Sequence, residues 1–480
     1  MPIIAALQDA SAAPQPLGVG AVVLLFVVGS LFVVGWSRWV RPMNLAIGFA
    51  VTVAMWTLSY VAMLQPGLVA GELLFVAALA CVFVGGWVAG RRAPSEASGM
   101  SVGLVSATIN LMVVGAFLRD EQGGTHLRPI LYVAGLYAGS ALLGLLGDRL
   151  GRRGASGRPL PGAATLLGAV ATANILVMIV LGGLVTSYEA GLAVPDWPNS
   201  FGHNMLLYPV SEMKGGIFYE HAHRLFGMLV GATTLAYATV AFRSGVPRAA
   251  RGLVVVLVAL VVTQGILGGL RVTGNVTASM EASDLAPSTA MAIVHGMLGQ
   301  CVFAVAMLSA FACAGAFDGV RGSATGSRWM RSLPIAALAA LTMQLFLGAA
   351  MRHLQTAPTA DAGAKLPPWA LHGHVTMALI AFVLVFMAGR RSAKSVDARP
   401  IQALGKGISH AVGLQLVLGI AALVAVLVRR GVDVPWWEAI STTSHQALGA
   451  LLLAMTASLA VLAYRATLTG FSASSSASNA

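Results

Sequence analysis

The chain has 480 residues, of which 57% are hydrophobic and only 10% charged, and its mean hydropathy is +0.82. Soluble domains contain about 25% charged residues, so this composition excludes an ordinary soluble protein and indicates a membrane protein. The formal net charge is +12, but the basic residues lie in short segments between apolar runs, which argues against nucleic-acid binding. Cys81, Cys301 and Cys313 lie in apolar runs without Cys-x-x-Cys spacing, so we expect neither a disulfide framework nor a zinc site.

Apolar runs long enough for a membrane helix, which needs about 20 residues, follow one another along the chain. They lie at 17–36, 43–64, 68–90, 101–118, 129–147, 163–187, 217–243, 249–271, 288–315, 331–351, 368–389, 401–428 and 436–464. They predict an all-α polytopic membrane protein with about 13 transmembrane helices.

The distribution of positive charge predicts the orientation of these helices. Placing the N-terminus outside and the C-terminus inside puts most of the 29 Lys and Arg residues in inner segments, as the positive-inside rule requires. One helix more or fewer would reverse every later segment and remove this bias. Arg429 and Arg430 are exceptions to it.

Composition also divides the chain into parts. The basic, Gly- and Pro-rich segment 148–162 predicts an inner linker. It follows a five-helix membrane extension at 1–147, in which we find no motif that indicates a role. The low-complexity tail at 466–480 is predicted to be disordered.

The part after the linker contains an internal repeat. Three features recur in one register: His221 and His223 as His372 and His374, Gln264-x-x-Leu267-Gly268 as Gln415-x-x-Leu418-Gly419, and His295 as His445. The repeat predicts two tandem four-helix bundles, at 163–315 and 316–465.

Histidines in the apolar runs are the candidate ligands, because ionisable groups in a membrane are costly. His223, His295, His374 and His445 fall near the outer ends of their helices. Two imidazoles per bundle favour a bis-histidine heme iron, although a single such His is more often an interfacial hydrogen-bonding group and zinc or copper is an alternative. Residues i and i+2 point about 200° apart on a helix, so only one member of each doublet faces one iron, and the repeat does not decide which.

Several motifs then point to one family. Their residues are Glu220-His221-Ala222-His223-Arg224, the loop at 182–198 that contains Pro-Asp-Trp-Pro, the segments starting at Gln264 and Val294, and, in the second half, those starting at Leu347 and Ser444 together with His374. At these residues, over roughly 163–465, the sequence resembles the heme A synthase family of oxidase-assembly enzymes. Two features depart from the family pattern: Val194 stands where a loop cysteine is frequent, and Thr186 stands near a frequent basic residue.

The resemblance implies an enzyme of the bacterial-type plasma (inner) membrane that oxidises the C8 methyl group of heme O to a formyl group by successive hydroxylations, giving heme A. It implies that His223 and His295 bind the iron of the substrate heme, and that His374 and His445 bind a permanent heme b. Heme O synthase and a terminal oxidase would be its functional neighbours, in a lipid environment.

Glu220 is the predicted catalytic residue of this reaction. Its counterpart in the second half is Leu371, so one half would retain a heme without the chemistry. A carboxylate one turn before the iron ligand could accept a proton or stabilise positive charge at the oxidised carbon. The alternative for Glu220 is a helix N-terminal carboxylate stabilised by the helix dipole. The alternatives for the whole chain are a non-catalytic di-heme b electron carrier and a heme-delivery or transport scaffold.

Overall fold

A computed structural model describes residues 19–65, 67–119, 127–154, 158–273, 289–320, 328–356, 365–394 and 398–468. The described chain is almost entirely helical, with one small antiparallel hairpin formed by β1 (Asn199–Ser200) and β2 (His203–Asn204). The predicted all-α class is therefore confirmed. The N-terminal residues 1–18 and residues 469–480 of the predicted disordered tail lie outside the described residues.

The helices follow the predicted apolar runs closely. In chain order they are α1 (Val19–Trp39), α2 (Pro42–Met63), α3 (Gly71–Arg92), α4 (Gly99–Arg119), α5 (Leu127–Arg153), α6 (Ala163–Ser187), α7 (Gly216–Arg243), α8 (Arg248–Thr273), α9 (Thr289–Cys313), the short α10 (Ala316–Gly319), α11 (Arg328–His353), α12 (Pro368–Lys394), α13 (Arg399–Val428) and α14 (Trp436–Ala466).

Eleven helices in the described part of the chain are long and apolar enough to cross a membrane. Each can hydrogen-bond its own backbone, which a bilayer core requires because it contains no water to do so. The protein is therefore a multi-pass membrane protein. The number of 13 transmembrane helices stays a prediction.

The chain forms two compact units. The first contains the described residues of Met1–Leu160, Glu189–Val240 and Gly268–Ala286, and the second those of Pro161–Tyr188, Ala241–Leu267 and Pro287–Ala480. The boundaries predicted at 163–315 and 316–465 stay a prediction.

Close helix packing in the first unit depends on glycine. A Cβ atom on Gly86 of α3 would collide with the backbone of Gly144 on α5, and one on Gly103 of α4 would collide with the backbone of Ser140. Small residues at such positions let membrane helices approach closely and gain van der Waals contact. Hydrogen bonds between helices add to this packing, for example from Trp56 Nε1 to Asn110 Oδ1 at 2.9 Å.

Helix α2 of the five-helix extension packs directly on α7. The ring of Tyr60 stacks on that of Phe218 with a centroid separation of 5.2 Å, and Trp56 meets Phe226 edge-on at 5.6 Å. Helix α7 also carries Glu220 and His223. The extension therefore supports the helix that carries Glu220 and His223.

In the second unit, α11, α12, α13 and α14 form a closed four-helix ring, in which each helix packs on the next and α14 packs on α11. Helix α14 also packs on α6 and α9. A buried ion pair, Arg429 Nε to Glu438 Oε2 at 3.4 Å, joins the end of α13 to the first turn of α14. This ring places α12 and α14 diagonally opposite each other.

Candidate functional site

Two of the predicted ligands face each other inside the ring of the second unit. His374 extends from α12 and His445 from α14, and their ring centroids are 6.4 Å apart with an interplanar angle of 79°. Two metal–nitrogen bonds of about 2 Å, with roughly 1 Å from each nitrogen to its ring centre, would require about 6 Å. Within the described residues, no group of three or more His, Cys, Asp or Glu side chains could hold a metal ion. The separation of the two rings would allow both histidines to hold one iron.

Gln344 of α11 orients the ring of His374. The Nδ1 atom of His374 lies 3.2 Å from the backbone oxygen of Gln344, and its Nε2 atom lies 3.1 Å from the Gln344 amide nitrogen. A carbonyl oxygen only accepts, so these partners assign the ring hydrogen to Nδ1 and the lone pair to Nε2, where it accepts from the Gln344 amide; this amide would have to move aside for a metal to bind Nε2. A hydrogen bond from Nδ1–H to a carbonyl is the usual way in which a protein prepares Nε2 for a metal.

Gln415 of α13 holds His445 in a related way. Its Nε2 atom donates to the backbone oxygen of His445 at 3.0 Å and lies 3.1 Å from the Nδ1 atom of that ring. A glycine one turn after each glutamine makes room for the imidazole. A Cβ atom on Gly348 would lie 2.8 Å from Cε1 of His374, and one on Gly419 would lie 2.8 Å from Cε1 of His445.

Gln264 and Gln415 belong to the repeat that is visible in the sequence, whereas Gln344 was not predicted. The signal that reveals it is the match between the segments that start at Gln344 (QLFLG) and Gln415 (QLVLG) within one bundle. The third copy of the motif acts on His295, because Gln264 Nε2 donates to the backbone oxygen of His295 at 2.9 Å. His295 belongs to the second unit and His223 to the first, so their pairing on one iron stays a prediction.

Glu220 lies in the first turns of α7, where both of its oxygens are engaged. Oε1 accepts from Nη2 of Arg224 at 2.7 Å, and Oε2 accepts from the backbone nitrogen of Val194 at 2.8 Å. The side chains of Glu220 and Arg224 are only 5% and 8% exposed. This ion pair connects α7 to the loop that precedes it.

Arg224 binds the same loop with its remaining donors. Nη1 donates to the backbone oxygens of Asp196 at 2.6 Å and Asn199 at 3.0 Å, and Nη2 also donates to that of Val194 at 2.8 Å. The Asp196 carboxylate accepts from the backbone nitrogens of Phe201 and Gly202, each at 2.7 Å. The segment 194–202 is therefore fixed to α7 by a chain of charge-assisted hydrogen bonds.

The structure separates the two histidines of the first doublet. His221 is fully buried, its Nδ1 atom lies 3.0 Å from Oγ of Ser200, and its ring packs 5.0 Å from that of Tyr208. His221 therefore faces the loop. Residues i and i+2 point about 200° apart on a helix, so His223 lies on a different face of α7 from His221; its role as an iron ligand stays a prediction.

Tyr208, whose ring packs on His221, is a neutral side chain. Burial, and secondly the nearby Glu212 carboxylate, raise the pKa of its phenol above the ordinary value. Both effects disfavour the phenolate, because a buried anion is poorly solvated and repelled by a second anion.

The last turn of α8 lies against the same loop. A Cβ atom on Gly269 would collide with the ring of Trp197. A Cβ atom on Gly191 would lie 2.6 Å from Nη2 of Arg271 and 3.2 Å from its Cζ atom. Arg271 therefore places its guanidinium group directly over the loop backbone.

Comparison with known proteins places this arrangement in a family. The COX15-CtaA model, described as a cytochrome oxidase assembly protein, matches residues 165–457, more than half of the chain. The chain belongs to this cytochrome oxidase assembly protein family. Glu220 and the four predicted histidine ligands all lie within the matched residues, whereas the five-helix extension precedes them.

Two curated relatives, from two strains of Methylorubrum extorquens, are similar to part of the chain, and each is named "Heme A synthase". The first is 30% identical over 192 residues that cover 37% of this chain and 49% of the relative. The second is 31% identical over 182 residues that cover 35% of this chain and 46% of the relative. The chain thus spans about half the length of the curated relatives it matches.

Proposed function

We propose that this protein is a heme A synthase, which oxidises the C8 methyl group of heme O to a formyl group by successive hydroxylations. The observation that carries the proposal is that the residues matched by the family contain the complete ligand pattern, including the facing pair His374 and His445. The name of the two relatives, "Heme A synthase", supports the product.

In this proposal each half of the repeat holds one heme. His374 and His445 would hold a permanent heme b, which supplies electron transfer when bound. His223 and His295 would bind the iron of the substrate heme. Gln344 and Gln415 contact the imidazoles of His374 and His445, which would reduce the cost of ordering the site.

Glu220 is the proposed catalytic residue of the substrate half. It lies three residues before His223 and shares its helix face. Because Arg224 and Val194 already occupy both oxygens, accepting a proton would require one of these bonds to break. We therefore assign Glu220 the stabilisation of positive charge that develops at the oxidised carbon.

The proposal also places the enzyme in its surroundings. It would lie in a bacterial-type plasma (inner) membrane with its N-terminus outside and C-terminus inside. Heme O synthase would supply its substrate and a terminal oxidase would receive its product.

The test is pigment extraction and mass analysis of hemes from cells that make heme O, with and without this protein. We expect hydroxylated and formyl hemes only with the intact chain, and a loss of about a hundredfold or more in their formation with Glu220→Gln. If heme O persisted unchanged while the purified protein carried a bis-histidine heme b, the chain would be an electron carrier instead.

Arg224→Gln separates the chemistry of Glu220 from its contact with the loop. This variant breaks the same ion pair but retains the carboxylate. We expect it to retain substantially more heme A formation than Glu220→Gln. Equal losses in the two variants would contradict a role for the Glu220 carboxylate beyond its contact with the loop, because Arg224→Gln also removes three hydrogen bonds to the loop backbone.

A further inference from the structure

Arg271, in the last turn of α8, lies against the loop that precedes α7. Its guanidinium group has N–H donors that no described residue accepts from. Its Nε atom is buried and has no hydrogen-bond partner among the described residues. A Cβ atom built on Gly191 would lie 2.6 Å from Nη2 and 3.2 Å from Nη1 of Arg271, so the guanidinium group lies close to the loop at this glycine. Every buried donor that is left unpaired costs free energy, so this position calls for an acceptor.

The charges around Arg271 do not balance within the described part of this region. Glu220 is the acidic group that acts on Arg271 electrostatically, but its two oxygens already accept from Arg224 and Val194. Two guanidinium groups thus share one carboxylate. A cation near a membrane interior that lacks a counterion is unfavourable, and a bound anion would restore the balance.

The two other arginines near this loop or the outer helix ends are already used. Arg224 makes four hydrogen bonds through Nη1 and Nη2, which together carry four hydrogens, so neither of these nitrogens has a donor left for a ligand. Arg352 donates through Nη2 to the backbone oxygens of Thr186 at 2.5 Å and Ser187 at 3.4 Å. Arg271 differs from both because its N–H groups donate to no acceptor among the described residues.

We propose that Arg271 is the anion site of the first unit and binds a carboxylate of the substrate, namely a propionate of heme O. This inference rests on the proposed function. A planar guanidinium matches a carboxylate with two parallel hydrogen bonds, which gives orientation as well as affinity. Fixing one propionate at the loop orients the porphyrin edge relative to Glu220 and His223, and so selects which methyl group reacts.

The test compares the binding of heme O and of its dimethyl ester, in which both carboxylates are blocked. The full-length chain in nanodiscs of neutral phosphatidylcholine is titrated, and Kd is read from the Soret difference spectrum. We expect Arg271→Gln to raise the Kd for heme O about ten- to a hundredfold and to leave the Kd for the diester unchanged. Arg251→Gln, at the other end of α8, is the matched control and should change neither.

Gly191→Ala offers an independent variant that retains every charge. Its Cβ atom would lie 2.6 Å from Nη2 of Arg271, which is too close, so the guanidinium must move. We expect the same selective loss of heme O affinity as in Arg271→Gln. An unchanged Kd for heme O in both variants would overturn the proposal. The proposal would also be overturned if the variants changed only the amount of phosphatidylglycerol that co-purifies with the chain, because the ligand would then be a lipid phosphate.

The outcomes also distinguish this inference from the proposed function. The chain could bind heme O through its carboxylates and Arg271 and yet form no heme A. That result would support the anion site and contradict the proposed oxidation of heme O. If Arg271→Gln formed heme A with the wild-type KM for heme O, the proposed oxidation would be supported and the proposed anion site contradicted.

Discussion

At the scale of single residues, Gln344 and Gln415 occupy corresponding places next to their histidines. Each precedes by four residues a glycine that touches the imidazole, and each makes two contacts with its histidine, one of which involves a backbone oxygen. Such partners fix the orientation of a ligand, and their loss typically lowers metal affinity about 10- to 100-fold.

Gln415→Leu should therefore weaken heme binding by the second unit. Leucine has a similar volume but cannot donate to Nδ1 or to the backbone oxygen of His445. We expect a rise in Kd for heme b of about 10- to 100-fold, measured by Soret titration. Gln402→Leu, near the start of the same helix, is the control; equal affinities for the two variants would contradict a positioning role for Gln415.

At the scale of helices, the packing of α5 depends on which glycine faces a neighbour. A Cβ atom on Gly144 would collide with the backbone oxygen of Gly99, whereas nothing lies within 4 Å of one on Gly139. The same substitution at these two positions changes intrinsic helix propensity equally, so a difference between them reports packing.

Gly144→Val should destabilise the first unit by about 1–3 kcal/mol, because overpacking forces α4 and α5 apart. Gly139→Val should leave stability unchanged or raise it slightly, since valine is a better helix residue than glycine. Thermal unfolding of the two variants in the same detergent measures the difference. A Tm for Gly144→Val at or above that of Gly139→Val would show that the close approach contributes nothing.

The helices themselves were predictable because apolar runs end at charges and helix breakers. The run at 401–428 corresponds to α13 and the run at 217–243 to α7, each within two residues. The hairpin β1–β2 was not predicted, since it depends on hydrogen bonds that the backbone nitrogens of Phe201 and Gly202 donate to the Asp196 carboxylate. Local pattern does not reveal such contacts.

The candidate site was predictable to the extent that it repeats. His374 and His445 were predicted from the repeat, and their rings lie 6.4 Å apart; their role as iron ligands stays a prediction. The engagement of Glu220 by Arg224 and Val194 was not foreseen, because it requires the loop to fold back onto α7. Sequence alone indicated only a carboxylate at a helix start.

At the scale of the whole molecule, the orientation in the membrane can be tested at two exposed serines that flank α7. Ser211 precedes this helix and Ser244 follows it. With the N-terminus outside, a membrane-impermeant thiol reagent should label Ser211→Cys in intact cells and Ser244→Cys only after permeabilisation. The wild-type chain, whose three cysteines lie in apolar helices, measures the background. The reverse pattern would invert the proposed topology.

The ring α11–α14 contains its own symmetry. Helices α11 and α12 contribute one glutamine and one histidine, and α13 and α14 contribute the same pair. Each helical hairpin thus supplies one of the two proposed iron ligands and the glutamine that contacts it, and the two hairpins together complete the proposed site. An ancestral peptide no longer than a hairpin could have assembled the site as a homodimer around a shared porphyrin, and fusion of the two copies would then have removed the dependence of the site on protein concentration.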